Sequence, residues 1–65
     1  MTRAEFRRLP LLLKPAQAAE VLGVSVAKLG RSFDAAVLTP ILTKGRHRRY
    51  RKGQLARLVG LEDAL

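Results

Sequence analysis

The chain of 65 residues contains no cysteine, so neither a disulfide nor a thiolate zinc site can staple it, and burial of Leu, Val, Ile and Ala must drive folding. That composition fits a reducing compartment. Acids are scarce: five Asp and Glu face thirteen Lys and Arg, leaving a formal charge of +8 and a pI of about 11.5. Such a surplus points to a polyanionic partner, either nucleic acid or an anionic membrane. Long apolar runs are missing as well. The longest, Leu11-Leu12-Leu13, falls far short of the roughly 20 residues of a membrane span. The opening stretch from Met1 to Arg8 lacks the apolar region of a secretory signal, so a cytoplasmic location is expected. Residues able to do chemistry are equally thin. One His and the carboxylates Glu5, Glu20, Asp34, Glu62 and Asp63 offer no paired acid–base set and no ligand spacing, so no enzyme, metal or cofactor is expected.

What is present suits one small domain near the lower size limit for a self-sufficient core. Thr2-x-x-Glu5 has capping-box spacing, and residues 1–12 read as a short helix closed by Pro10 or as a basic arm. Pro15 suits the first turn of a helix carrying Ala18, Ala19 and Leu22 on one face, and Gly23 stops it. Ser25 is a good N-cap for a second helix with Leu29, Phe33 and Ala36 on its buried side, bounded by Pro40. Ile41-Leu42-Thr43, a Lys44-Gly45 turn and Arg48-Arg49-Tyr50 then form a hairpin. Leu55, Leu58 and Val59 recur at helical spacing up to Gly60, and residues 61–65 form an acidic, apolar tail. The fold class predicted is mainly α with a small β-hairpin.

Two helices joined by a Gly turn outline a helix-turn-helix, an arrangement that also occurs in purely structural bundles. Ala19 lets the helices approach, Gly23 permits the turn, Val24 plugs the core and Ser25 takes up free amides. The hairpin adds the discriminating feature. Lys44, Arg46, Arg48, Arg49, Arg51 and Lys52 cluster without an intervening acid, and that density of like charge is relieved by a phosphate backbone. Tyr50 is expected to anchor the returning strand in the core. Phe6, Phe33 and Tyr50 are too few for the stacking platforms of a single-stranded RNA reader. A membrane-surface peptide would spread its cations along a helix face rather than gather them in a glycine-bounded hairpin.

Ala18-Ala19-Glu20-Val21-Leu22-Gly23-Val24-Ser25, followed by Leu29, Phe33, Leu38, Pro40 and Gly45-Arg46-His47-Arg48-Arg49-Tyr50, resembles the winged helix-turn-helix of the MerR-like superfamily, which includes small phage and plasmid excisionases. The likeness covers residues 13 to 59, within a DNA-binding domain expected over 13–60. It implies that the second helix enters the major groove and that the wing grips the flanking backbone or minor groove. By that resemblance Ser25, Ala27, Lys28, Arg31 and Ser32 face DNA, with Lys28 and Arg31 the principal contacts. Arg46, His47 and Arg48 are expected at phosphates or in a narrow minor groove, and Lys44 and Arg49 rank second.

The chain departs from the family pattern at Gly30, where a larger side chain is usual, at Asp34, which would repel phosphate, and at Lys14 and Arg51, where a capping Ser, Thr or Asp is usual. No long dimerisation helix or effector domain follows, so a monomer in solution that self-associates on duplex DNA is expected. The role implied is an excisionase that works beside an integrase or other recombinase. The alternative is a minimal transcription regulator.

Overall fold

The computed structural model describes residues 1–33, 38 and 40–65, with the backbone alone at Ser32 and Phe33. Expectations for Asp34, Ala36 and Val37, and for the side chains of Ser32 and Phe33, fall outside the described residues. Helix α1 spans Arg3–Arg8. Its start is a closed capping box, in which the Glu5 amide donates to Thr2 Oγ1 at 3.1 Å and the Thr2 amide donates to Glu5 Oε1 at 3.2 Å. Thr2 also holds the Glu5 carboxyl below the ordinary glutamate range, first through its backbone amide and then through its hydroxyl. Phe6 is fully buried, and with Ala56 and Ala64 it forms a small second core. Residues 3–8 are therefore a packed helix and not a loose arm. The tail joins the same cluster through a 3₁₀ turn at Glu62–Ala64, and Arg3 pairs with Asp63 across it.

Leu12–Leu13 form β1, a strand that the leucine run did not announce because it has no period-two alternation. Helix α2 (Pro15–Leu22) follows at once. A lysine ammonium has no lone pair with which to cap, yet Gln17 Oε1 accepts the Lys14 amide at 3.0 Å, so this helix start is better satisfied than its N-cap residue suggests. At the other end Gly23 sits at φ 72°. Gly23 and Val24 donate back to Glu20 and Ala19 at 3.2 and 3.0 Å, a Schellman closure that only a left-handed residue permits cheaply.

Helix α3 departs from expectation. It is regular only over Val26–Lys28 before the backbone widens into a π-helical stretch at Leu29–Phe33. Ser25 caps it, accepting the Lys28 amide on Oγ at 3.1 Å. Leu29 is held fully inside the core, and Gly30 after it is a poor α-former with no side chain to resist widening.

Strands β2 (Ile41–Leu42) and β3 (Arg48–Arg51) complete an antiparallel sheet of order β1-β3-β2. Leu13 lies opposite Tyr50 and Leu12 opposite Arg51, while Ile41 and Leu42 face Arg49 and Arg48. Helix α4 (Lys52–Val59) runs straight off β3 and ends at Gly60, φ 73°. Its buried face is Leu55 and Ala56; Leu58, expected inside, is 41% exposed. The helix lies between two clusters, so Leu55 serves the main core while small Ala56 admits Phe6. The main core gathers Leu13, Ala18, Ala19, Leu29, Leu38, Tyr50 and Leu55, with Leu9, Val21, Leu22 and Val24 packed around it.

Among the described residues there are thus four helices and a three-stranded antiparallel sheet, with about half the chain helical, an arrangement compatible with a winged-helix-like α/β fold. None of these helices is long and apolar enough to cross a membrane.

Candidate nucleic-acid interface

The hairpin tip is built by its turn chemistry. The Arg46 amide donates to Thr43 O at 2.9 Å and the Thr43 amide to His47 O at 2.9 Å, leaving Lys44, Gly45 and Arg46 as the loop. Gly45 takes φ 89° at the third turn position, where a type II turn requires a positive angle. The His47 imidazole lies against it: a Cβ on residue 45 would stand 3.3 Å from His47 Cδ2. Arg46 follows at φ 61°, the one non-glycine left-handed residue among those described. Lys44, Arg46 and His47 are all exposed on this tip.

Along β3 the pleat divides the cations. Successive side chains point to opposite faces of a strand, so Arg48 and Tyr50 share one face while Arg49 and Arg51 share the other. Tyr50 is buried against the helices, which identifies the core-facing side. Arg48, two residues before it, reaches past the core edge onto α3. Its Nη1 lies 3.1 Å from the position a Cβ on Gly30 would occupy. The end of this one wing side chain therefore reaches the helical turn that carries Lys28 and Arg31, both exposed.

Of the ten residues expected at a DNA surface, Lys28 and Arg31 stand on this turn, Arg48 lies against it, and Lys44, Arg46 and His47 extend from it on the hairpin tip. Ser25 and Ala27 are exposed at the helix start, where Ser25 Oγ already serves as the cap. Arg49 is apart from the group. It is half-buried on the opposite sheet face, and its Nη1 donates to the Arg48 carbonyl oxygen at 2.8 Å. The side chain of Ser32 is outside the described residues.

Two members of the cationic run do other work. Lys52 is 4% exposed. Its ammonium donates to the carbonyl oxygens of Arg7 at 2.9 Å and Leu9 at 3.0 Å, and lies 5.1 Å from the centre of the Phe6 ring. It satisfies the carbonyl end of α1, which carries partial negative charge, and offers nothing to a partner. Arg51 is exposed beside Leu12 on the outer sheet face.

Gly30 is the residue that sequence reasoning left out of the site. Its only signal was that it stood where a larger side chain was expected, and the structure fills that space with the Arg48 guanidinium. The described acids lie elsewhere, on α1 (Glu5), on α2 (Glu20) and in the C-terminal turn (Glu62, Asp63). Chemically, the described residues offer exposed Lys28 and Arg31 on the helix and exposed Lys44, Arg46 and Arg48 on the hairpin, guanidinium and ammonium groups that can hydrogen-bond anions. No protein-family model, curated protein or solved structure matches this chain.

Proposed function

We propose that this chain binds double-stranded DNA as a winged helix-turn-helix of the MerR-like, excisionase-like type. The observation that carries the reading is the packing of Arg48 on Gly30, which joins the basic hairpin to the Ser25-capped helix. A molecule measuring 30 × 23 × 16 Å can lay this short helix in a major groove about 12 Å wide while the hairpin tip reaches the adjoining backbone. Lys28 and Arg31 supply the groove contacts. Arg31 has the guanidinium fork that pairs with guanine O6 and N7, a contact worth about 1–3 kcal/mol of base discrimination. Lys44, Arg46 and Arg48 take phosphates, and His47 lies beside them at the tip.

Base-reading side chains are few and phosphate-binding ones many, so affinity is mainly electrostatic and selectivity comes from DNA shape and from several copies bound side by side. Each copy carries +8 and repels its neighbour in free solution; a polyphosphate removes that repulsion. This behaviour suits an excisionase that coats repeats, bends an attachment site and assists a recombinase. Footprinting on DNA flanking the gene separates this role from a minimal transcription regulator: regularly spaced protected repeats favour the former, and an isolated palindrome favours the latter.

The binding claim itself is tested by titrating a duplex at several salt concentrations. With Lys28, Arg31, Lys44, Arg46 and Arg48 on phosphates or in the groove, log affinity should fall against log salt with a slope of about −4.5. Arg46→Ala and Arg48→Ala should each flatten the slope by about one unit, and Arg31→Ala should also relax sequence preference. Unchanged affinity and slope in the wing variants would remove the assignment.

A further inference from the structure

We infer that the shallow groove between β1 and the start of α4 is a docking site for an acidic, leucine-bearing segment of a partner protein. This surface is separate from the candidate DNA strip and does not rest on that reading. Arg51 stands three residues beyond Arg48 on β3 and so points to the opposite side of the sheet. The groove has a volume of about 530 Å³ and is lined by Leu11, Leu12, Arg51, Gly53 and Arg57 among others.

Its chemistry is mixed in a way that selects the occupant. Leu11 is 81% exposed and Leu12 42%, so two adjacent leucines form an apolar strip that the fold leaves uncovered. Arg51 lies opposite Leu12 in the strand register, and Arg57 lies six residues further on, in α4. Among the described residues the one ion pair is Arg3 with Asp63, so neither of these guanidinium groups is neutralised. A Cβ on Gly53 would meet nothing within 4 Å, so there is open space beside this one position in the first turn of α4. That turn begins at Arg51 without a side-chain cap, so the positive end of the helix adds to the field of the two arginines.

The complement of an apolar strip edged by positive charge is a segment carrying leucines among carboxylates. A nucleic acid would answer the arginines but leave the leucines facing water. A second copy is a poor match, because each copy carries +8 and Asp63, one of its few acids, is already paired.

The experiment uses the whole ¹⁵N-labelled chain and two synthetic peptides of about a dozen residues with equal negative charge. One interleaves Leu with Glu and Asp; the other replaces every Leu by Gly. Amide shifts are followed at roughly physiological salt, where charge alone is strongly screened. The leucine peptide should move the amides of Leu11, Leu12, Gly53 and Arg57, leave those of Lys28, Arg31 and Arg48 in place, and bind at least about tenfold more tightly than the leucine-free peptide. The double variant Leu11→Ser/Leu12→Ser and the single variant Arg57→Glu alter exposed positions, and each should abolish most of that difference. Equal binding of the two peptides would overturn the proposal, because charge alone would then suffice. A duplex that displaces the leucine peptide from these amides would reassign the groove to nucleic acid. Dimerisation in sedimentation experiments that the leucine variants abolish would reassign it to a second copy.

Discussion

The Nη1 atom of Arg48 lies 3.1 Å from the point where a Cβ on Gly30 would stand, so a strand residue occupies the space of a missing side chain on α3. That contact couples two residues eighteen positions apart and makes their substitutions non-additive. Gly30→Ala should be mild: the guanidinium is the far end of a flexible side chain and needs to yield only a few tenths of an ångström, while removing a glycine favours helix by up to about 1 kcal/mol. Gly30→Leu should expel Arg48 and weaken duplex binding about as much as Arg48→Ala does. Adding Arg48→Ala to Gly30→Leu should then cost little more. A double-mutant cycle of duplex affinities measures this directly, and strictly additive losses would show that the two residues act independently.

Arg46 tests a conflict between folding and binding. It holds φ 61° in the hairpin loop, a conformation that costs a non-glycine residue about 1–2 kcal/mol. Part of that gain is offset when glycine is substituted, because glycine has more conformational freedom to lose on folding. Arg46→Gly should therefore raise stability by about 0.5–1 kcal/mol in urea denaturation while flattening the salt dependence of duplex binding by about one unit. A variant that gains stability and keeps its full salt slope would take Arg46 off the phosphates.

Much of the fold was legible because its boundaries are set by residues with a single mechanical meaning. Pro15 opens α2, Gly23 and Gly60 close α2 and α4 in the left-handed region, and Ser25 caps α3. Thr2 and Glu5 announced α1, but whether that helix would pack depended on Phe6 meeting Ala56 and Ala64, a contact between distant parts of the chain. Three features were hidden for the same reason. Strand β1 exists because Leu13 lies opposite Tyr50 and the Lys52 amide donates to Leu11 O at 2.9 Å, neither of which a leucine triplet encodes locally. The widening of α3 occurs where Leu29 is held in the core and the Arg48 guanidinium lies beside Gly30, and both neighbourhoods are made by distant parts of the chain. Within the basic run, charge counting treats Arg48, Arg49, Arg51 and Lys52 alike, and only strand alternation and burial separate them.

The capping box of α1 gives the stability a pH dependence with a definite sign. The folded-state pKa of Glu5 is depressed by its bonds to Thr2. Its contribution is therefore fully present above the unfolded glutamate value of about 4.3 and is lost as the pH falls through the lower folded value. Thermal melts between neutral pH and strong acid should show an acid-side loss that Glu5→Gln reduces, since glutamine can keep the reverse hydrogen bond without titrating. An identical acid limb in wild type and variant would assign the loss to other carboxylates.

Lys52 and Arg51 are neighbours in sequence with opposite roles, and substituting each by methionine separates them. Lys52 Nζ is buried and donates to two carbonyl oxygens at the end of α1. Lys52→Met keeps the apolar stem but removes two part-buried hydrogen bonds made by a charged donor, at a total cost of about 2 kcal/mol because water can reach part of the freed acceptors. In a domain of this size about 2 kcal/mol is a large share of the total stability and would lower Tm by roughly 8–16 °C. Folded Lys52→Met should still bind duplex DNA with the wild-type salt slope, because this ammonium faces inward. Arg51→Met alters an exposed side chain, and its stability should stay within about 0.5 kcal/mol of wild type. Measured together, the pair distinguishes a cation that closes a helix from one held ready for a partner. If Lys52→Met weakened binding while sparing stability, the inward assignment of Lys52 would be wrong, and the whole basic run would have to be read as one surface.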